Sequence, residues 1–101
     1  ELAATGSSAI AVAMDVTSES EVRRGVDAAA AALGGIDILV SNAGVQHLDE
    51  LTDLSFENWK RVLAIHLDGG FLTTQACMRR MVRSTHFGCH SSPKRRNRFQ
   101  A

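Results

Sequence analysis

The 101-residue chain contains no tyrosine, and its only proline is Pro93. With no tyrosine, no phenol is at hand as a proton donor or acceptor. Cysteine occurs twice, at Cys77 and Cys89, with nothing around either to suggest a disulfide framework. That usage fits a reducing, cytoplasmic compartment. No apolar run approaches the roughly 20 residues needed to cross a bilayer, and no signal peptide is visible, so no membrane role is expected. There is also no initiating methionine, and the chain opens as if in the middle of a domain. Acidic residues are missing beyond Asp68.

That last absence sets up a charge asymmetry. Residues 1–78 hold all eleven acids and four bases, whereas residues 79–101 hold seven bases and no acid. The change of character falls near residue 83 and divides the chain into a body and a basic tail. A hydrophobic content of 45% allows the body a core, though a small one.

The stretch that organises the body is Asp37-Ile38-Leu39-Val40-Ser41-Asn42-Ala43-Gly44. A short apolar run that stops at a small amide and a glycine reads as a strand buried on both faces, as in parallel sheets. In such sheets the loop at the strand's carboxyl end is where ligands bind. Asn42 can donate and accept there, and Gly44 admits close approach of a neighbour. The plainer alternative is a strand that leaves the core through an Asn-Gly turn.

Upstream, residues 9–14 form a second apolar run ending in Asp15-Val16-Thr17, which predicts another strand. Thr17 or Ser18 can cap the next helix, and Glu19 and Glu21 suit its first turn. Val22, Val26, Ala29, Ala30 and Leu33 recur at helical spacing, and Gly34-Gly35 stops the helix. Residues 9–44 therefore read as strand, helix, strand, a unit that implies a parallel sheet.

After a loop over 45–54, Ser55 is a good cap with Asn58 three residues on. Phe56, Trp59, Leu63, Leu67, Phe71, Thr74 and Met78 predict one long helix over 55–82, their stripe belonging to a core or a subunit contact. Gly69-Gly70 within it suggests either a kink or close approach of another backbone.

Asp15-Val16 at a strand end, the run from Ile36 to Gly44, and the helix from Phe56 through Trp59 to Phe71 together resemble the short-chain dehydrogenase/reductase family, over residues 9–82. The stretch Ser41-Asn42-Ala43-Gly44-Val45-Gln46-His47 is similar within that family to the D-3-hydroxybutyrate dehydrogenases. The resemblance implies an α/β fold: part of a Rossmann-like, doubly wound parallel sheet. Residues 1–83 would be a partial NAD(P)-binding domain and residues 84–101 a tail outside the family pattern. It implies NAD as cofactor, with NADP also open, and a small hydroxy acid or ketone as substrate. It also implies a homo-oligomer of the full-length parent, a tetramer or dimer formed through the long helix.

The resemblance further implies roles for single residues. Asp15 accepts from the adenine amino group, and the Val16 amide lies near the same ring. Asn42, Ala43 and Gly44 line the adenine ribose, and Gln46 holds the substrate carboxylate or carbonyl. His47 is either a solvated loop residue or a second substrate contact. His66 stands where the family places an asparagine that holds a water in a proton relay. A histidine can serve that water or be satisfied by a neighbouring carbonyl.

Two family elements are missing. Gly6, Gly25, Gly34-Gly35 and Gly69-Gly70 make no glycine-rich phosphate loop, and no Tyr-x-x-x-Lys pair can exist without tyrosine. The tail, Ser84 onward, has neither strand nor helix periodicity, and a shifted reading frame would produce such a break. His86, Cys89 and His90 are too few to define a metal site. The run Lys94-Arg95-Arg96-Asn97-Arg98 reads as a disordered solvated tail rather than a nucleic-acid contact. In the family strand order, the strands at 9–14 and 37–41 are not neighbours. The expectation is that they make no sheet, that the tail offers no further strand, and that the chain is partly helical and molten. The alternative to an oxidoreductase is a non-catalytic remnant acting through subunit contact or its basic tail.

Overall fold

The computed structural model describes residues 9–84 and 98–101. In chain order these form α1 (Glu19–Leu33), β1 (Ile38–Val40), α2 (Phe56–Leu63), a π-helical turn (Ala64–Asp68), α3 (Gly69–Ser84) and β2 (Arg98–Gln100).

Helix α1 begins where its sequence provides a cap. The Ser18 hydroxyl accepts from the Glu21 N–H at 3.4 Å, and Glu19 and Glu21 place negative charge on the amino-terminal turn. It ends at Gly34, whose φ of 80° is the left-handed conformation that side chains resist. Val22, Val26, Ala29 and Ala30 of α1 are buried with Ile36, Cys77 of α3 and Phe99 of β2, and this is the core. Asp27 and Arg80 tie α1 to α3 from outside, with Arg80 Nε donating to Asp27 Oδ1 at 2.8 Å.

The run at 9–14, expected to be a strand, forms none. Among the described residues no strand pairs with it, which accords with its separation from β1 in the family strand order. Ile10 and Val12 are exposed, and Met14 alone packs against the core.

The expectation for the tail is corrected at its end. Residues 98–100 form β2, parallel to β1, with Ile38 opposite Arg98, Leu39 opposite Phe99 and Val40 opposite Gln100. Beyond the ladder, Ala101 N–H donates to Val40 O at 3.1 Å, and Asn42 and Ala43 N–H both donate to Ala101 O at 2.8 Å. The cause is Phe99: it is buried between exposed Arg98 and Gln100, so a three-residue alternation suffices to set the strand face. The earlier part of the tail, with His86, Cys89, His90 and Lys94 to Asn97, lies outside the described residues.

The long helix is also divided. Ser55 caps α2 through its hydroxyl, which accepts from Asn58 N–H at 3.1 Å. The π turn then separates α2 from α3, and the expected stripe does not enter the core on either side of it. Phe56, Trp59, Leu67, Phe71 and Met78 are all exposed, and α3 instead buries Thr73 and Cys77. Thr73 satisfies its hydroxyl by donating to Gly69 O at 2.8 Å. No helix among the described residues is long and apolar enough to cross a membrane.

Candidate functional site

Three chain segments meet where the π turn passes into α3. The first is Asp15-Val16, after the extended run at 9–14. The second is the loop from Ser41 to Gln46, after β1. The third is the π turn itself with His66 and the Gly69-Gly70 pair.

Glycines allow the meeting. A Cβ added to Gly69 would stand 3.0 Å from Val16 Cγ2 and 3.4 Å from the Val16 carbonyl oxygen. The glycine pair thus marks the close approach of another backbone. A Cβ added to Gly44 would lie 2.6 Å from His66 Cε1, so the imidazole occupies the space that any side chain at 44 would need.

His66 also bonds the loop. Its Nε2 lies 3.2 Å from Val45 N, whose N–H is directed at it, and 2.8 Å from Val45 O. Nε2 of the ring is therefore engaged by the loop backbone, with the Val45 carbonyl as the nearer group.

Asp15 looks the other way, into its own turn. Its Oδ1 accepts from Thr17 N–H at 2.9 Å and from the Thr17 hydroxyl at 2.7 Å. The Thr17 hydroxyl, and then the Thr17 amide, hold the Asp15 carboxyl below its ordinary 3.8. The side chain is an exposed carboxylate with Oδ2 facing no protein donor among the described residues. That arrangement leaves one exposed acceptor oxygen beside Val16.

The Asn42–Gly44 segment is less open. The amides of Asn42 and Ala43 are spent on Ala101 O, and the space beside Gly44 is filled by His66. What remains for a ligand there is the exposed side-chain amide of Asn42.

Gln46 is exposed and lines a shallow cleft of about 30 Å³ with Val45, His47, Asn58, Arg61 and Val62. His47 is held in the loop's own network, its Nε2 at 2.7 Å from Asp49 Oδ2 and 3.0 Å from Asn58 Nδ2. The loop is thereby moored to the first turn of α2. Nothing in local spacing ties Asn58 and Arg61 to a loop eleven or more residues earlier, so their place at this cleft has no signal in the sequence. Cys77 is buried, which pushes its thiol up to about 11 and leaves it inert. No group of three metal-ligating side chains exists among the described residues.

The chain is 46% identical over 70 residues to a D-threitol dehydrogenase of Mycolicibacterium smegmatis, covering 69% of this chain and 27% of that protein. It is 38% identical over 64 residues to a D-beta-hydroxybutyrate dehydrogenase of Rhizobium meliloti, covering 63% of this chain and 25% of the relative. Its fold is similar to a short chain dehydrogenase from Burkholderia cenocepacia J2315 solved in complex with NADP. That likeness has a TM-score of 0.73 at 35% identity, over 78% of this chain and 32% of the other. The chain thus spans about a quarter to a third of these proteins' lengths. The α/β arrangement is that of a Rossmann-like sheet in part, and the short chain dehydrogenase family model matches residues 1–88. The chain belongs to the short-chain dehydrogenase family.

Proposed function

We propose that this chain is the middle portion of a nicotinamide-dependent oxidoreductase that interconverts a secondary alcohol and a ketone. The observation that carries the reading is the Asn42-Ala43-Gly44 turn at the carboxyl end of β1, clamped against His66 in a chain of this family. A ligand loop at a strand's carboxyl end is where open α/β sheets bind.

NAD or NADP, when bound, supplies the hydride acceptor. Asp15 would receive the adenine amino group beside Val16, and Asn42 would face the ribose. Gln46 would donate its amide N–H to a substrate carboxylate, which orients the acid without adding a titrating group. These residues bind and orient. The tyrosine that the family resemblance implies for moving the hydroxyl proton is not in this chain. Accordingly the chain by itself is expected to yield no NADH above an empty-vector control with any hydroxy acid.

The finer reading is oxidation of D-3-hydroxybutyrate to acetoacetate by the full-length parent. Gln46 directly after the Gly44-Val45 pair supports it, as does the likeness to a D-beta-hydroxybutyrate dehydrogenase. The likeness to a D-threitol dehydrogenase favours a neutral polyol instead. The parent's homo-oligomer would form along the exposed row of Trp59, Leu67, Phe71 and Met78.

Kinetics of a full-length parent carrying Gln46→Ala separate the substrates. For a carboxylate held by Gln46, kcat/KM for D-3-hydroxybutyrate falls about 10-fold or more, the loss of a hydrogen bond to a charged group. Cofactor affinity stays unchanged. If D-3-hydroxybutyrate kinetics do not move while D-threitol turnover is robust, the hydroxy-acid reading is wrong.

A further inference from the structure

One nitrogen of His66 serves two groups of opposite character on one residue. The Val45 N–H is directed at Nε2 from 3.2 Å, and the Val45 carbonyl oxygen lies 2.8 Å from the same atom. Nε2 cannot satisfy both together. The neutral ring can meet either group, the N–H in the tautomer with a bare Nε2 and the carbonyl in the other, whereas the charged ring can only donate to the carbonyl. The ring is packed against the loop, because the missing side chain of Gly44 is what admits Cε1. An amide side chain at this place would carry a donor and an acceptor on separate atoms and could hold both Val45 groups at once.

We propose that His66 is a positioning residue whose charging removes the Val45 N–H anchor and leaves the carbonyl one, so that the placement of Gln46 responds to pH. Histidine as a class gains its proton between about pH 5 and 8, where no other described side chain of ordinary chemistry changes charge. The elements packed at this junction carry other charges. Asp68 lies in the π turn; His47, Asp49, Glu50 and Asp53 in the loop; Glu57, Lys60 and Arg61 in α2; and Asp15 in the segment against Gly69. His47 is bonded to Asp49 and Asp15 to Thr17, and none of the group bonds the His66 ring among the described residues. His47 is the other histidine at this junction, so the test must separate it.

That Gln46 meets a substrate rests on the proposed function, whereas the exchange at Val45 does not. The experiment is a pH titration of the full ¹⁵N-labelled chain by NMR, following the Val45 amide and the His66 ring nitrogens. The two are expected to move together with one midpoint. His66→Asn should flatten the Val45 response, and His47→Asn should leave it in place. A Val45 amide that stays still while His66 titrates overturns the proposal, as does a response that survives His66→Asn or vanishes in His47→Asn. A Val45 resonance at its random-coil position at both ends of the range also overturns it, since no anchor then exists. Should His66→Asn fail to fold, the shared or separate midpoints in the unmodified chain decide. Unmoved kinetics of Gln46→Ala in the parent would remove the substrate contact and leave this result standing.

Discussion

Gly44 has an ordinary backbone conformation, since only Gly34 and Gly35 among the described glycines take positive φ. Its requirement is space. A methyl at 44 meets His66 Cε1 at 2.6 Å, a separation that forces the ring or the loop to move. Gly44→Ala is expected to cost about 1–3 kcal/mol, the usual range for overpacking. The cost should shrink when His66 is Ala as well, which urea midpoints of the two single variants and the double variant will read. Equal costs in both backgrounds would mean that the ring is not the obstacle. Asp15 makes a different demand. Its carboxyl is held below the ordinary value by the Thr17 hydroxyl first and the Thr17 amide second. A depressed folded value means that its contribution is complete above the unfolded value and is lost as pH falls through the folded one. Thr17→Val removes the larger cause, so the Asp15 side-chain carbonyl should titrate at higher pH by ¹³C NMR. An unchanged midpoint would refute the hydroxyl's part. These two sites differ in how far the sequence exposes them. Asp15 and Thr17 are two residues apart, and their turn is readable from local chemistry. Gly44 and His66 are joined only by the fold, so the amide-glycine turn was legible and its occupant was not.

At the level of elements, boundaries marked by backbone chemistry are legible and boundaries set by partners are not. Ser18, Gly34 and Ser55 stop or start helices as their side chains dictate. Residues 9–14 have a strand's composition, yet a strand needs a second backbone and among the described residues none pairs with it. The π turn over Ala64–Asp68 has no signature of its own, and Phe71 and Met78 beyond it are exposed rather than in the core. Gly34 offers the cleanest test of a local boundary. Its φ is 80°, and a Cβ there would meet nothing within 4 Å, so any penalty is conformational. Gly34→Ala is expected to destabilise the chain by about 1–2 kcal/mol, the cost of left-handed backbone for an L-residue. A thermal midpoint equal to that of the parent sequence would show that the α1 terminus rearranges freely, which its connection to buried Ile36 argues against.

On the scale of the molecule, stability depends on whether β1 has a partner at all. A chain of this length buries a modest core, and natural domains hold only about 5–15 kcal/mol in total. Strand β1 finds its pairing in β2, and the loop amides of Asn42 and Ala43 find theirs in Ala101. Strand β2 is three residues long, and Phe99 is its one buried side chain, 7% exposed, while Arg98 and Gln100 face outward. Phe99 therefore does two things: it fills the core beside Val22, Val26 and Cys77, and it holds the backbone that pairs with β1. Replacing a buried phenylalanine by alanine costs about 3–5 kcal/mol, a large part of what so small a chain holds. The loss also frees β2, leaving the β1 and loop amides without partners at about 1–3 kcal/mol each where they remain buried. Phe99→Ala is thus expected to abolish the cooperative urea transition while the helical circular dichroism of α1 and α3 persists in part. Phe99→Leu, which keeps most of the volume, should retain a transition at lower urea. Hydrogen exchange locates the damage: protection at Asn42 and Ala43 should vanish in Phe99→Ala before protection in α1 does. If Phe99→Ala unfolds with an unchanged midpoint and keeps Asn42 protected, β1 must be held by something other than β2.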